Sequence, residues 1–335
     1  MNVTPEDIHR ARERLRGRAD AMPLIPSPVL TAELGQDFLY KMELMQPIGA
    51  FKLRGALNAV MALPDDVPGV TCCSTGNHGR GVAWAAARRG LRAVVCMSSL
   101  VPKAKVDGIR ALGAEVRICG VSQDEAQAES DRLTAAEGLV DISPFDDPLV
   151  IAGQGTIGLE LIEARPDLDS ILVPLSGGGL AGGVALAAKS VKPSVKVIGV
   201  TMDRGAAMHL SLAAGHPVAV EEVPSLADSL GGGIGADNRH SFALCREYLD
   251  ATLLVTEEEI RDAMQFLFYE DRIVAEGASV VGIAATRAGK LPRPAGPVAT
   301  ILTGRNLDMG LFHRIMAGED IPLGNKVLKG KRHGA

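Results

Sequence analysis

The sequence predicts an α/β protein made of two open, twisted α/β domains with a cleft between them, and three observations carry that reading. At 335 residues the chain exceeds the size at which one hydrophobic core usually stops growing. From about residue 70, short β-branched runs alternate with alanine-rich helical ones, the order expected of parallel strands joined by crossover helices. The Pro- and Asp-rich connector "SPFDDP" then separates a first alternating series from a second, which places a domain boundary near 145–150.

The elements follow from local chemistry. "NVTPEDIHRARERLRG" offers Thr4 as N-cap, Pro5 at the first helical position and Asp7 to complete a capping box. "GVTCC" reads as a strand, and "HGRGVAWAAARRG" as a helix closed by Gly90. "RAVVCM" is the next strand, "KAKVDGIRALG" a helix ending at Gly113, and "EVRIC" a strand. "SQDEAQAESDRLTAAEG" is a helix capped by Ser122 and stopped at Gly138. After the connector come helix "GTIGLELIEA", strand "SILVPL", a glycine turn, helix "LAGGVALAAKS" and strand "VKVIGV". "LPRPAGP" is a loop ahead of the late strand "VATILT".

Composition narrows the function. Hydrophobic residues at 47% and charged ones at 22% describe an ordinary globular protein. A net charge of −5 without a basic block argues against a nucleic-acid partner, and the Lys326, Lys329, Lys331, Arg332 cluster reads as a frayed, solvated terminus. Five cysteines at 72, 73, 96, 119 and 245 follow no zinc or redox spacing and suit a reducing compartment. The apolar region Leu172 to Ala188 is broken by Pro174 and five glycines, so no membrane span is expected and the cytoplasm is the default location. His209 and His216 could share a helix face, but no carboxylate recurs at metal-ligand spacing, and no metal is expected.

Four stretches carry chemistry. In "GAFKLRGA", Lys52 sits among apolar and small residues, either snorkelling to solvent or desolvated into a partly neutral amine able to form a Schiff base. "SGGGLAGG", Ser176 to Gly183, joins a strand to a helix. It is a tight turn or, through converging N–H groups at a helix start, a seat for a small phosphate ester. It lacks the Lys-Ser/Thr ending of a nucleotide loop and the Rossmann spacing. "STGNHG", Ser74 to Gly79, opens a helix as an N-cap or as an anion cradle with Asn77 and His78 in reach. "LTGRN", Leu302 to Asn306, is an ordinary turn by itself, though Thr303 at a strand end could bond a heterocyclic nitrogen.

In this chain order the four stretches resemble the fold type II pyridoxal-phosphate enzymes, which are tryptophan synthase β-like, and within them the threonine and serine dehydratases and serine racemases, over roughly residues 5 to 315. "QPIGAFKLRGALNA", "STGNHGRGVAWAA", "PFDDPLVIAGQGTIGLE", "VPLSGGGLAGGVALA", "RGAAMHLSLAAG", "LADSLGGGIGADNR" and "LTGRNLDM" are similar to the hydroxyectoine-utilisation dehydratases. The resemblance implies pyridoxal 5'-phosphate in the cleft between a large cofactor domain, residues 1–40 plus 146–320, and a smaller mobile substrate-carboxylate domain, 41–145, followed by a tail, 321–335.

It implies further that Lys52 holds the cofactor as a Schiff base and, freed by substrate, moves the Cα proton. Phe51 would flank the ring, and Asn77 would bond its 3-hydroxyl. Ser74, Thr75, Gly76, Asn77 and His78 would seat the substrate carboxylate. Ser176, Gly177, Gly178, Gly179 and Leu180 would hold the phosphate, while Thr303 would face the pyridine nitrogen with Glu276 of "EGAS" nearby. A neutral hydroxyl at that nitrogen favours prompt loss of a β-hydroxyl over a long-lived carbanion. The implied activity is dehydration of a β-hydroxy amino acid, a hydroxyectoine-degradation intermediate first, with a general L-threonine/L-serine dehydratase or a serine/aspartate-type racemase as alternatives, in a homodimer.

Four positions depart from the resemblance. Ala50 stands where many relatives have Ser, and Thr75 where racemases carry a catalytic Ser. Thr201 and Ala207 stand at or near the acidic ligands of metal-activated relatives, so no cation site of that kind is expected. With no sequence for a regulatory domain after residue 335, a catabolic role without isoleucine feedback is expected.

Overall fold

The computed structural model, which describes residues 3–74, 76–99, 101 and 103–334, contains two sheets of mainly parallel strands whose loops meet at one cavity. The larger sheet runs, in spatial order, Leu24–Pro26, Phe38–Lys41, Val298–Ile301, Ser170–Pro174, Lys196–Met202 and Ala251–Val255. All its pairings are parallel except the edge pair Leu24–Pro26 with Phe38–Lys41. The smaller sheet, Glu115–Ile118, Arg92–Met97, Gly69–Cys73 and Val140–Asp141, is wholly parallel. Strand Ser170–Pro174 is buried at every position, as a strand covered by helices on both faces must be.

The capping boxes read from sequence form as expected. Asp7 N–H donates to Thr4 Oγ1 at 3.3 Å while Thr4 N–H donates to Asp7 Oδ2 at 2.9 Å, and Ser122 and Glu125 repeat the exchange. One helix starts earlier than its glycines suggest. The expectation of a loop through Pro148 with a helix from Gly155 is corrected to a single helix, Pro148–Ala164. Asp147 caps it by accepting from the N–H groups of Leu149 and Val150 at 2.7 and 2.9 Å. Its glycines serve packing: a Cβ on Gly153 would lie 2.6 Å from the Arg54 carbonyl, and one on Gly158 2.6 Å from that of Val184.

The carboxyl terminus also differs from expectation. Residues read as a frayed tail form the hairpin Ile321–Leu323 with Lys326–Leu328, which buries Ile321, Leu323 and Leu328 against Phe312 and Ile315. Arg261 donates to the Lys329 carbonyl, and Gln265 Nε2 to the Lys331 carbonyl at 2.6 Å. Three apolar side chains within eight residues outweigh the charge of Lys326 between them, which stays exposed.

Among the described residues no helix is long and apolar enough to cross a membrane, and no group of three or more His, Cys, Asp or Glu is placed to hold a metal ion. His209, in the helix Ala207–Ala214, pairs its Nδ1 with Thr252 Oγ1 at 2.6 Å, and His216 lies beyond that helix.

Candidate active site

Lys52 opens the helix Lys52–Ala62, and the loop before it is clipped to the end of strand Val298–Ile301. Phe51 N–H donates to the Thr303 carbonyl at 2.9 Å, and Ala50 bridges to Gly304. The Lys52 side chain is thereby held half-buried beneath its neighbours, its Nζ 5.4 Å from the centre of the Phe51 ring. Nζ donates to the Pro144 carbonyl at 2.5 Å. Loss of hydration lowers the amine from the usual lysine range to about 8, so a useful fraction is neutral near physiological pH.

The stretch Ser74–Gly79 follows strand Gly69–Cys73 and opens the helix Asn77–Arg89. Ser74 is nearly buried, and its hydroxyl accepts from the N–H groups of Gly76 and Gly79 at 3.3 and 3.0 Å. Thr75 lies outside the described residues. His78 is buried, with Nε2 2.7 Å from the Ile142 carbonyl. A carbonyl only accepts, which assigns the proton to Nε2 and leaves Nδ1 as an acceptor without a partner among the described residues. Burial first, and the nearby Lys52 charge second, push this imidazole down to about 3.

The glycine turn links strand Ser170–Pro174 to helix Gly179–Val191. Gly178 adopts φ +87°, and a Cβ there would lie 2.5 Å from Met208 Cε. A Cβ on Gly177 would run into the Phe145 ring, and one on Gly179 would lie 2.5 Å from the Phe145 carbonyl. Ser241 Oγ donates to the Gly177 carbonyl at 2.7 Å, and Cys245 Sγ to that of Gly178 at 3.5 Å. The turn is therefore held from behind, while the first N–H groups of the helix it opens have no partner within that helix.

Thr303 and Glu276 close the opposite wall. Thr303 Oγ1 lies 2.9 Å from Ser279 Oγ, which donates to the Gly304 carbonyl at 2.8 Å and accepts from Gly304 N–H at 2.7 Å. Ser279 has one proton, already given to that carbonyl, so Thr303 donates to it and keeps its lone pairs. Glu276 is buried, and burial raises its carboxyl above the usual range, partly offset by bonds from Asn77 and Asn306.

One cavity of about 890 Å³ is lined by Phe51, Lys52, Ser74, Gly76, Asn77, His78, Ser176, Gly177, Gly178, Gly179, Leu180, Glu276 and Thr303. Every described residue that the sequence pointed to meets in that space. Three further participants were passed over: Pro144, Ser279 and Asn306. Asn306 and Ser279 stand inside the quoted "LTGRN" and "EGAS", where an amide and a hydroxyl beside a candidate site residue were the available signal. Pro144 acts through its carbonyl, which no residue identity announces.

Fold and site define the class: an α/β enzyme that sets a low-pKa lysine amine, a glycine turn packed too tightly for any Cβ, and a strand-end hydroxyl around one cleft. That set fits a phosphorylated aldehyde with a heterocyclic ring. A family model described as pyridoxal-phosphate dependent enzyme matches residues 18–304, and the chain belongs to that family. A protein of Sinorhizobium fredii (strain NBRC 101917 / NGR234), provisionally named a threonine dehydratase, is 52% identical over 95% of this chain and 96% of its own. The L-threonine ammonia-lyase of Thermotoga maritima is 40% identical over 97% of this chain and 81% of its own. Among solved structures, maize serine racemase superposes with TM-score 0.89 at 30% identity, covering 95% of this chain and 98% of that one. The processed form of threonine deaminase isoform 2 from Solanum lycopersicum gives 0.85 at 33% identity, covering 94% of each chain.

Proposed function

We propose that this pyridoxal-phosphate-dependent lyase removes the β-hydroxyl of a β-hydroxy amino acid, with a ring-opened hydroxyectoine-degradation intermediate as its substrate. The observation that carries the reading is the Lys52 amine, depressed to about 8 and facing the same cavity as the glycine cradle. When bound, the cofactor supplies an electrophilic aldehyde and a ring that acidifies the substrate Cα–H. Lys52 holds it covalently and afterwards takes the Cα proton, a task suited to an amine whose pKa lies near working pH. The N–H groups of Ser176, Gly177, Gly178, Gly179 and Leu180, at the turn that opens helix Gly179–Val191, would hold the cofactor phosphate. The stretch Ser74–His78 holds the substrate carboxylate at the start of helix Asn77–Arg89.

Thr303 would turn its hydroxyl proton from Ser279 to the pyridine nitrogen, an uncharged donor to an unprotonated ring, with Phe51 lining the same cavity. His78 stays neutral and does not compete for protons. The eliminated hydroxyl departs as water, and the released enamine hydrolyses to a keto acid and ammonia. The similarity of seven sequence stretches supports the hydroxyectoine substrate. A general L-threonine/L-serine dehydratase is the second reading, supported by the names of the relatives at 40% identity and above. We further place residues 41–145 as the smaller mobile unit, and the active form as a cytoplasmic homodimer.

Holoenzyme incubated with threonine, serine, hydroxyaspartate and the ring-opened hydroxyectoine derivative is expected to release keto acid fastest from the last. Equal rates on all four would defeat the specialised substrate. No keto acid from any would defeat the lyase reading.

A further inference from the structure

Asn306 sits where three segments meet. Its Nδ2 donates to the Ile48 carbonyl at 2.8 Å, in the loop leading to Lys52, and to Asn77 Oδ1 at 2.7 Å, at the opening of helix Asn77–Arg89. Its backbone N–H donates to Glu276 Oε1 at 2.6 Å. Asn77 Nδ2 in turn lies 3.1 Å from both Glu276 carboxylate oxygens.

The polarity of this chain is fixed at one end by an atom that cannot flip. The Ile48 carbonyl only accepts, so the Asn306 nitrogen must face it. That nitrogen then demands an acceptor from Asn77, which turns the Asn77 oxygen toward Asn306 and its nitrogen toward Glu276. A flipped Asn77 would set oxygen against carboxylate and NH₂ against NH₂, losing the bonds on both sides. The surrounding backbone is shaped for the arrangement: Gly49 adopts φ +75°, and a Cβ there would lie 2.8 Å from Asn306 Oδ1.

We infer that Asn306 is a positioning residue that fixes the Asn77 amide with its donor end on the Glu276 side, where Asn77 bonds the cofactor. The inference rests on the assignment of Asn77 as a cofactor ligand. Asn306 also lines the cavity, but its side-chain donor is spent on the Ile48 carbonyl and Asn77 Oδ1, so it acts through Asn77.

The test is a double-mutant cycle read as the dissociation constant of pyridoxal phosphate, from absorbance titration of the full-length protein after cofactor removal, with thermal midpoints recorded alongside. Asn77→Ala and Asn306→Ala are each expected to weaken binding roughly tenfold, the equivalent of one hydrogen bond. The double variant is expected to bind no more weakly than Asn77→Ala, because the second residue works only through the first. Asn306→Asp keeps the shape but has no side-chain donor, and it replaces Asn306→Ala in the cycle should the alanine variant not fold. It is expected to lose as much affinity as the alanine. Losses that multiply in the double variant, or wild-type affinity in either Asn306 variant, overturn the inference. Wild-type affinity in Asn77→Ala overturns the assignment beneath it instead.

Discussion

The Lys52 amine donates to the Pro144 carbonyl at 2.5 Å, tying the first turn of helix Lys52–Ala62 to the loop ahead of helix Pro148–Ala164. A single carbonyl replaces only part of the hydration a charged amine has in water, and the pKa falls from 10.5 to about 8. Between those values the unfolded chain binds a proton that the folded one does not, so folding stability rises with pH across that window. Below pH 8 the penalty is fully present. Cofactor-free Lys52→Met is therefore expected to be more stable than cofactor-free wild type at pH 7, by about 1–3 kcal/mol. The gap should close toward pH 10.5 in paired urea titrations. A gap independent of pH would show that the amine is well solvated after all.

His78 makes the opposite end of the pH scale informative. Its imidazole titrates at about 3 when folded against 6.5 for a histidine in water, so the unfolded chain takes up the proton first as pH falls. Stability from this group is present above pH 6.5 and lost as pH drops toward 3, at about 1.4 kcal/mol per pH unit. In His78→Gln the amide can still donate to the Ile142 carbonyl, and the acid-dependent loss attributable to this position should disappear. Urea midpoints at pH 6.5, 5.5 and 4.5 for both proteins check it. Parallel acid slopes would remove His78 as the cause.

Much of this was legible in the sequence, and the parts that were not share a cause. Ser122, Thr4 and the stopping glycines announce helix ends because caps and left-handed turns are local chemistry. The short strands Leu24–Pro26, Phe38–Lys41 and Ala251–Val255 escaped notice, since their partners lie far along the chain and only pairing makes them strands. The helix over 148–154 was hidden by Gly153 and the glycines after it, which serve close packing: Gly153 against helix Lys52–Ala62, and Gly155 and Gly158 against helix Gly179–Val191. In the site, Lys52 and the triple glycine stand out by residue type, whereas the Asn306–Asn77–Glu276 chain depends on which loops the sheets bring together.

The glycine cradle predicts a separation of binding from folding. Gly177 has ordinary φ, so alanine meets no backbone strain there, only the Phe145 ring. The ring must move, and Phe145 belongs to the cavity wall beside the cradle. Gly177→Ala is expected to lose about 1–3 kcal/mol of stability, the usual cost of overpacking. Pyridoxal-phosphate affinity should fall more than tenfold, because the added methyl and the shifted ring disturb the N–H groups proposed to seat the phosphate. Affinity within twofold of wild type, measured by absorbance titration, would place the phosphate elsewhere.

Two residues after Lys52, Arg54 is 2% exposed and spends its guanidinium on two carboxylates. Nε and one terminal nitrogen grip Glu43 at 2.8 Å each, and the two terminal nitrogens reach Glu160 at 2.6 and 2.8 Å. Lys41 shares Glu160 at 2.5 Å. Glu160 keeps a cation if Arg54 is lost, but among the described residues Glu43, fully buried, keeps only the side-chain amide of Gln46 at 3.3 Å. Arg54→Met should therefore cost about 3–5 kcal/mol at pH 7, chiefly from a stranded carboxylate. Neutralising that carboxylate in the double variant Arg54→Met, Glu43→Gln should recover part of the loss, which distinguishes charge burial from packing. Arg54→Lys should not rescue, since an ammonium cannot fork to two carboxylates at once. Urea unfolding of the four proteins decides it: if the double variant is as unstable as Arg54→Met, the cost lies in packing and the buried charge of Glu43 is not its source.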